Sequence, residues 1–150
     1  MRGERIEMST FSVQLTVRQY ETDFNGHVNH VVYFDWADHA RIEYLRRAGL
    51  VVETFLANKT APVILQAEIR YLRELRAGED VTVTCEPSYG EGKTFTMHHG
   101  FIRNDGTVAA ELQQVMGILD HPTRRLVPNP HQVLRALATQ PDLLEPTKTP

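Results

Sequence analysis

An internal disulfide is closed to this sequence, because it has one cysteine, Cys85. A lone thiol fits a reducing compartment, so a cytoplasmic location is the expectation. Cys85 falls on the apolar side of an alternating strand pattern, which makes it a packing residue rather than a nucleophile. No apolar run approaches the ~20 residues of a membrane span, so no membrane partner is expected. Met1 to Thr10 mixes charges of both signs without an apolar stretch, unlike a secretory signal, and Met8 offers an alternative start behind a short disordered tail. There is no surplus of positive charge either. The formal net charge of −3 argues against a general nucleic-acid binder, although it leaves room for a local basic patch. Low-complexity tracts, internal repeats and linkers are missing too, so the 150 residues read as a single domain, 1–150, with an ordered core of about 10–140.

What is present is patterned. Phe11, Val13, Leu15 and Val17 alternate with polar residues, as in a half-buried strand. The polar cluster from Glu21 to Gly26 breaks that strand, and from about Asn29 the period changes. Tyr33, Ala37, Ala40, Tyr44 and Ala48 recur at helical spacing, Trp36 and Leu45 widen the stripe, and Gly49 stands where a C-terminal cap belongs. Two alanines mid-stripe would let a sheet approach the helix closely. A short second helix is expected around Val51 to Leu56, with less signal. Beyond Pro62 the pattern is β: Val63 to Tyr71, with Leu75 as an alternative end, then Val81 to Cys85, Thr94 to Ile102 and Val108 to Leu119. Asn104-Asp105-Gly106 marks a tight hairpin turn. A last helix, from about Pro130 to Thr139, precedes a Pro-rich frayed tail. One antiparallel sheet wrapped around one long helix accounts for this order, an α+β arrangement.

The chemistry-bearing types gather just before the long helix, where Asp23, Asn25 and His27 alternate around Gly26. A carboxylate, a carboxamide and an imidazole are thereby placed where helix N–H groups point outward unpaired. Attack on a carbonyl and stabilisation of the resulting oxyanion need such groups. From spacing alone an N-capping role explains Asp23 equally well. Asn25 orients water or is an ordinary turn residue; His27 shuttles a proton or holds the loop; Asn29 reads as structural or as an N-cap. Glu43 is a partner for Arg46 or Arg47. His27-x-x-His30 with Asp23 and Asp35 lacks the H-E-x-x-H spacing, so no metal is assigned. Gly90-Glu91-Gly92-Lys93-Thr94 echoes a phosphate loop, but Pro87 stands where that pattern requires glycine and the segment joins two strands. His98 and His99 fall on opposite faces of one strand.

Tyr20-Glu21-Thr22-Asp23-Phe24-Asn25-Gly26-His27-Val28-Asn29, followed by Tyr33 and by Ala40-Arg41, resembles the signature of hotdog-fold acyl thioesterases. The 4-hydroxybenzoyl-CoA-thioesterase-like branch is the nearest group, and Asp23-x-Asn25-x-His27-Val28-Asn29 is also similar to the motif of plant acyl-carrier-protein thioesterases. In element order the resemblance runs from Phe11 to Leu137, with Asp120 to Pro128 similar to the family's closing strand. Two positions depart from the pattern: Glu21 replaces a common Asp, and His30 a frequent Asn. The resemblance implies a hotdog fold, a homodimer or homotetramer with a continuous sheet and sites between subunits, and metal-free, cofactor-free hydrolysis of an acyl-CoA substrate. It implies that Asp23 is the catalytic carboxylate, supported by Asn25 and His27, and that the His30 backbone amide polarises the thioester carbonyl. Glu74 lies where the plant enzymes carry a further acid, or is a solvated strand-end glutamate. Arg124 and Arg125, with Arg103 or Lys93, are candidates for the coenzyme A phosphates, because guanidinium forks suit phosphate geometry. Trp36, Phe55 and Tyr71 are candidates for lining the acyl site. An acyl-carrier-protein thioesterase and a non-catalytic acyl-binding module are the alternatives.

Overall fold

The computed structural model describes residues 10–146. The chain runs through β1 (Ser12–Thr16), a 3-10 turn (Gln19–Glu21), α1 (Val32–Arg47), α2 (Val52–Ala57) and β2 (Thr60–Tyr71). It continues through β3 (Asp80–Thr84), β4 (Glu86–Tyr89), β5 (Phe95–Arg103), β6 (Val108–Asp120), β7 (Arg125–Leu126), α3 (Pro130–Leu137) and a second 3-10 turn (Pro141–Leu144). The alternative start at Met8 lies outside the described residues. No helix among the described residues is long and apolar enough to cross a membrane.

Seven strands form one antiparallel sheet in the order β1-β3-β5-β6-β2, with β4 also on β5 and β7 on β6. The strand expected from Val81 to Cys85 divides at Cys85, whose N–H bonds the Phe11 carbonyl, and resumes as β4 against the first half of β5. Not every consecutive pair is a hairpin. β2 pairs with β6 while β3 lies between β1 and β5, so the chain crosses the sheet between Tyr71 and Asp80. β2 begins at Thr60 and contains Pro62, which an edge strand tolerates because an outward-facing N–H need not enter the ladder. It ends at Tyr71 rather than Leu75: the Leu75 side chain is fully buried and its carbonyl accepts the Val28 N–H.

α1 lies against the concave face of this sheet, and the apolar stripe decides its orientation. Tyr33, Trp36, Ala37, Ala40, Tyr44, Leu45 and Ala48 are all buried, the alanines completely. They meet Phe101, Leu112, Met116 and Ile118 from β5 and β6, within the same core. Each such large side chain stabilises the fold by roughly 1.5–3 kcal/mol relative to exposure. The helix stops at Gly49 (φ +88°), where Gly49 N–H bonds the Arg46 carbonyl and Leu50 N–H the Leu45 carbonyl, the paired bonds of a Schellman cap. Buried Cys85 has its thiol pushed up to about 12 by desolvation, in keeping with packing rather than reactivity.

The chain stays packed past residue 140 rather than fraying. Leu144 is fully buried, Tyr89 Oη donates to its carbonyl at 2.9 Å, and Arg47 donates to the Leu143 carbonyl at 3.2 Å.

Candidate active site

The segment from Glu21 to Asn29 folds back on itself before α1 begins. Asn29 N–H bonds the Glu21 carbonyl (2.8 Å), Thr22 and Val28 form a bridge, and Asp23 N–H bonds the His27 carbonyl (2.9 Å). Gly26 closes the turn at φ +79°, a conformation that costs side-chain-bearing residues but not glycine. Asp23 thus sits on a short rigid loop. Its Oδ1 accepts the Asn25 N–H at 2.9 Å, and among the described residues no hydrogen bond engages Oδ2.

The capping explanation for Asp23 fails on this geometry. α1 starts at Val32, and Asn29 serves its first turn: Asn29 Oδ1 accepts the Val31 N–H at 3.1 Å and its carbonyl accepts the Val32 N–H at 3.0 Å. Val28 N–H goes to the Leu75 carbonyl and Asn29 N–H to the Glu21 carbonyl. Across Val28 to Val32, His30 N–H is the amide that no acceptor among the described residues takes. The next carbonyl, that of His30, is held by Tyr71 Oη at 2.8 Å.

Asp23, His27, His30 and Glu74 converge on one cleft of about 380 Å³, which Val28, Tyr33, Tyr71, Leu72 and Arg73 also line. The imidazole of His27 stands between two carboxylates, with Nε2 3.8 Å from Asp23 Oδ1 and Nδ1 3.5 Å from Glu74 Oε1. Both separations are at or beyond the outer limit of a hydrogen bond. Arg76 contacts Glu74 Oε2 through Nε and Nη2, both at 2.9 Å, and with His27 holds that carboxyl below the usual glutamate range. Tyr33 forms the floor. Burial, then the neighbouring Tyr71 and Asp23, pushes its phenol up to about 12, so it stays a neutral donor through the physiological range. Its ring stacks edge-on with Tyr71, Trp36 and Phe101.

Other expected residues are elsewhere. Asn25 is exposed at the loop turn, off the cleft, and meets Asp23 through its backbone amide. Arg103 ends β5 and faces Glu79 at 3.6 Å. Arg124 and Arg125 belong to the β6–β7 turn, where Asp120 pairs with both Thr60 and Arg125. Twelve residues of β2 separate that end of the sheet from Tyr71, roughly 35 Å at strand rise. Arg73 and Arg76, which no motif singles out, carry the guanidinium groups beside the cleft, one residue before and two after Glu74 in the chain. Trp36 stands behind Tyr33, and Phe55 lines a separate apolar cleft with Leu45, Leu56 and Pro62.

The profile of the thioesterase-like superfamily matches residues 17–137. A segment of 115 residues is 28% identical to the L-carnitine dehydrogenase/betainyl-CoA thioesterase of Agrobacterium fabrum, covering 77% of this chain and 24% of that protein. A segment of 82 residues is 35% identical to the chloroplastic acyl-acyl carrier protein thioesterase ATL3 of Arabidopsis thaliana, covering 54% of this chain and 43% of that one. The chain therefore spans less than half the length of either relative. In fold it is similar to the Staphylococcus aureus protein SAV2348, solved in complex with CoA, with a TM-score of 0.78 at 22% identity over 93% of this chain and 88% of that one. Curled antiparallel sheet, buried central helix and matched profile agree: the chain belongs to the thioesterase-like superfamily and has its hotdog fold.

Proposed function

We propose that this chain hydrolyses acyl-CoA thioesters to a free acid and CoA, with Asp23 as the reacting carboxylate and the His30 amide as the oxyanion donor. The observation that carries the reading is their juxtaposition. A half-buried carboxylate with a free oxygen and a residue whose backbone N–H is uncommitted among the described residues line the same cleft. Asp23 either removes a proton from water, which adds to the thioester carbon, or adds to that carbon itself and forms an anhydride that water then opens. The carbonyl oxygen becomes an oxyanion on the His30 N–H, an electrostatic contribution that needs no reorganisation. The C–S bond then breaks, and CoA leaves as a thiolate that takes up the released proton. A thiol with pKa of ~8.5 leaves without strong acid assistance, so His27 is not required as a general acid.

The CoA phosphates lie along Arg73 and Arg76, the cations beside the cleft. The protein works as a homodimer through the β2 edge, where exposed Ile64 and Leu65 flank an unpaired ladder. A two-fold axis across the middle of β2 brings the partner's Arg124 to the cleft end of the strand, which is how the distant arginines would serve the site. The Arabidopsis likeness favours a second donor, an acyl carrier protein.

The test is thiol release from a panel of acyl-CoAs, with matched carrier-protein thioesters alongside. Asp23→Asn is expected to fold and to lose ~10²–10⁴ in turnover. Near-wild-type turnover would remove Asp23 from the chemistry, and inactivity of the unmodified protein on both donors would leave a non-catalytic binding module.

A further inference from the structure

We propose that Glu21 is a positioning residue, whose carboxylate fixes the Asp23 loop against α1 by accepting a hydrogen bond from the Trp36 indole. This rests on the reading of Asp23 and His30 as the reacting pair and assigns the device that sets their separation.

The observations are local. Glu21 is 9% exposed, an unusual situation for a carboxylate, and both its oxygens are engaged. Oε1 accepts the Arg18 N–H at 2.8 Å, while Oε2 accepts from Trp36 Nε1 at 3.0 Å and Arg18 Nη1 at 3.2 Å. The Glu21 carbonyl meanwhile takes the Asn29 N–H. One residue therefore grips three things: the strand exit at Arg18, the helix at Trp36, and the far foot of the loop at Asn29. Asp23 follows one foot of that loop and His30 the other, so a shift of either foot relative to α1 stretches a Glu21 bond. Buried donors and acceptors in such a set are costly to leave unpaired, which makes the arrangement stiff.

Side-chain length matters here. Oε2 reaches the indole while Oε1 stays on the Arg18 amide. Removing one methylene withdraws the carboxylate by about 1.5 Å, so an aspartate cannot keep both bonds in the same backbone geometry. Trp36 in turn packs edge-on against Tyr33, the floor of the cleft, at 5.4 Å between ring centroids. The Glu21–Trp36 bond thus bears on the site from the loop side and from the helix side.

Trp36 is the single tryptophan of the chain, which gives the bond its own reporter. The full chain is compared as E21D, E21Q, W36F, E21D/W36F and D23N by acyl-CoA turnover, by the ¹⁵N-indole resonance of Trp36 and by thermal unfolding. E21D should stay folded, shift the indole N–H toward its free-solvent position, and lower kcat about tenfold with KM within about twofold. E21Q keeps a neutral acceptor and should lose less. W36F keeps the apolar body and deletes the donor, so it should reproduce the kcat loss, and E21D/W36F should be no worse than W36F alone. Overturning results are a shifted indole resonance in E21D with kcat within about twofold of wild type, or a loss carried by KM. Should E21D fail to fold, W36F decides: a folded W36F with kcat within about twofold of wild type overturns the proposal. The D23N arm separates the two claims. An inactive D23N beside fully active E21D and W36F defeats only the positioning role, whereas an active D23N defeats the reading of Asp23.

Discussion

The Tyr71 hydroxyl donates a 2.8 Å hydrogen bond to the His30 carbonyl, joining the end of β2 to the turn before α1 across 41 residues of sequence. The bond orients the backbone next to the His30 amide, so in the proposed mechanism a strand residue sets where the oxyanion would bind. Burial raises the Tyr71 phenol above its ordinary value, which keeps it a donor at neutral pH.

Tyr71→Phe keeps the ring stacked on Tyr33 and removes only the hydroxyl. A hydrogen bond of this kind contributes about 0.5–1.5 kcal/mol net, so kcat should fall by up to about tenfold with KM little changed. Steady-state kinetics on one acyl-CoA checks this. An unchanged kcat would show that the His30 peptide is held well enough by Asn29.

Arg73→Ala and Arg76→Ala are expected to raise KM for acyl-CoA and to weaken its salt dependence, because exposed guanidinium groups attract phosphates through a screened field. Arg76→Ala carries a second effect. It removes the main cause of the lowered Glu74 pKa, so the acidic limb of the pH–rate profile should move to higher pH if Glu74 must be ionised. Equal KM values for acyl-CoA and for the corresponding acyl-pantetheine in wild type would discount any phosphate contact.

His99 predicts a stability change with acid. The ring is fully buried on β5, with Nδ1 2.9 Å from the Thr84 carbonyl, and desolvation, reinforced by the Arg41 guanidinium, lowers its pKa from 6.5 to about 4. Between those values the unfolded chain binds a proton that the folded chain does not. Stability is therefore retained above about pH 6.5 and falls as pH drops toward 4, by something on the order of 3 kcal/mol if His99 acts alone. Urea midpoints across that range read the slope, and an imidazole resonance from His99 that titrates near 6.5 would contradict it.

Gly49→Ala should destabilise the fold while leaving the site chemistry intact. At φ +88° a Cβ is strained, and here it would run into the Thr139 side chain, which itself bonds the Ala48 carbonyl. A loss of about 1–3 kcal/mol is expected from the backbone strain alone, read as a lower melting temperature with kcat unchanged.

The local pattern made most of the fold legible. Helical spacing picks out every buried residue of α1, from Tyr33 to Leu45, and Ala48 just beyond it, because a stripe that must leave water has few ways to do so. Period-two and β-rich patterns located β1, β2, β3, β5 and β6 but not β4, and of the cleft residues Asp23 and His27 stand out by spacing, whereas the His30 amide and Glu74 follow only from the resemblance. Legibility ended where partners are distant in the chain. Pairing of β2 with β6, division of the strand at Cys85, and burial of Leu144 under Tyr89 depend on contacts between segments far apart. So does the choice among amides at the helix start: Leu75, Glu21 and Asn29 take the neighbours of His30 N–H, and no spacing rule foretells that. By itself, then, the sequence determined which polar residue types gather before the long helix and which helix face is buried, since both follow from residue type and period. Only the tertiary structure decided that Asp23 is no cap, that His27 stands between two carboxylates, and that Arg73 and Arg76 stand beside the cleft while Arg124 and Arg125 lie toward the other end of β2. Those outcomes depend on where the chain returns, and that is set by packing of the whole sheet around α1.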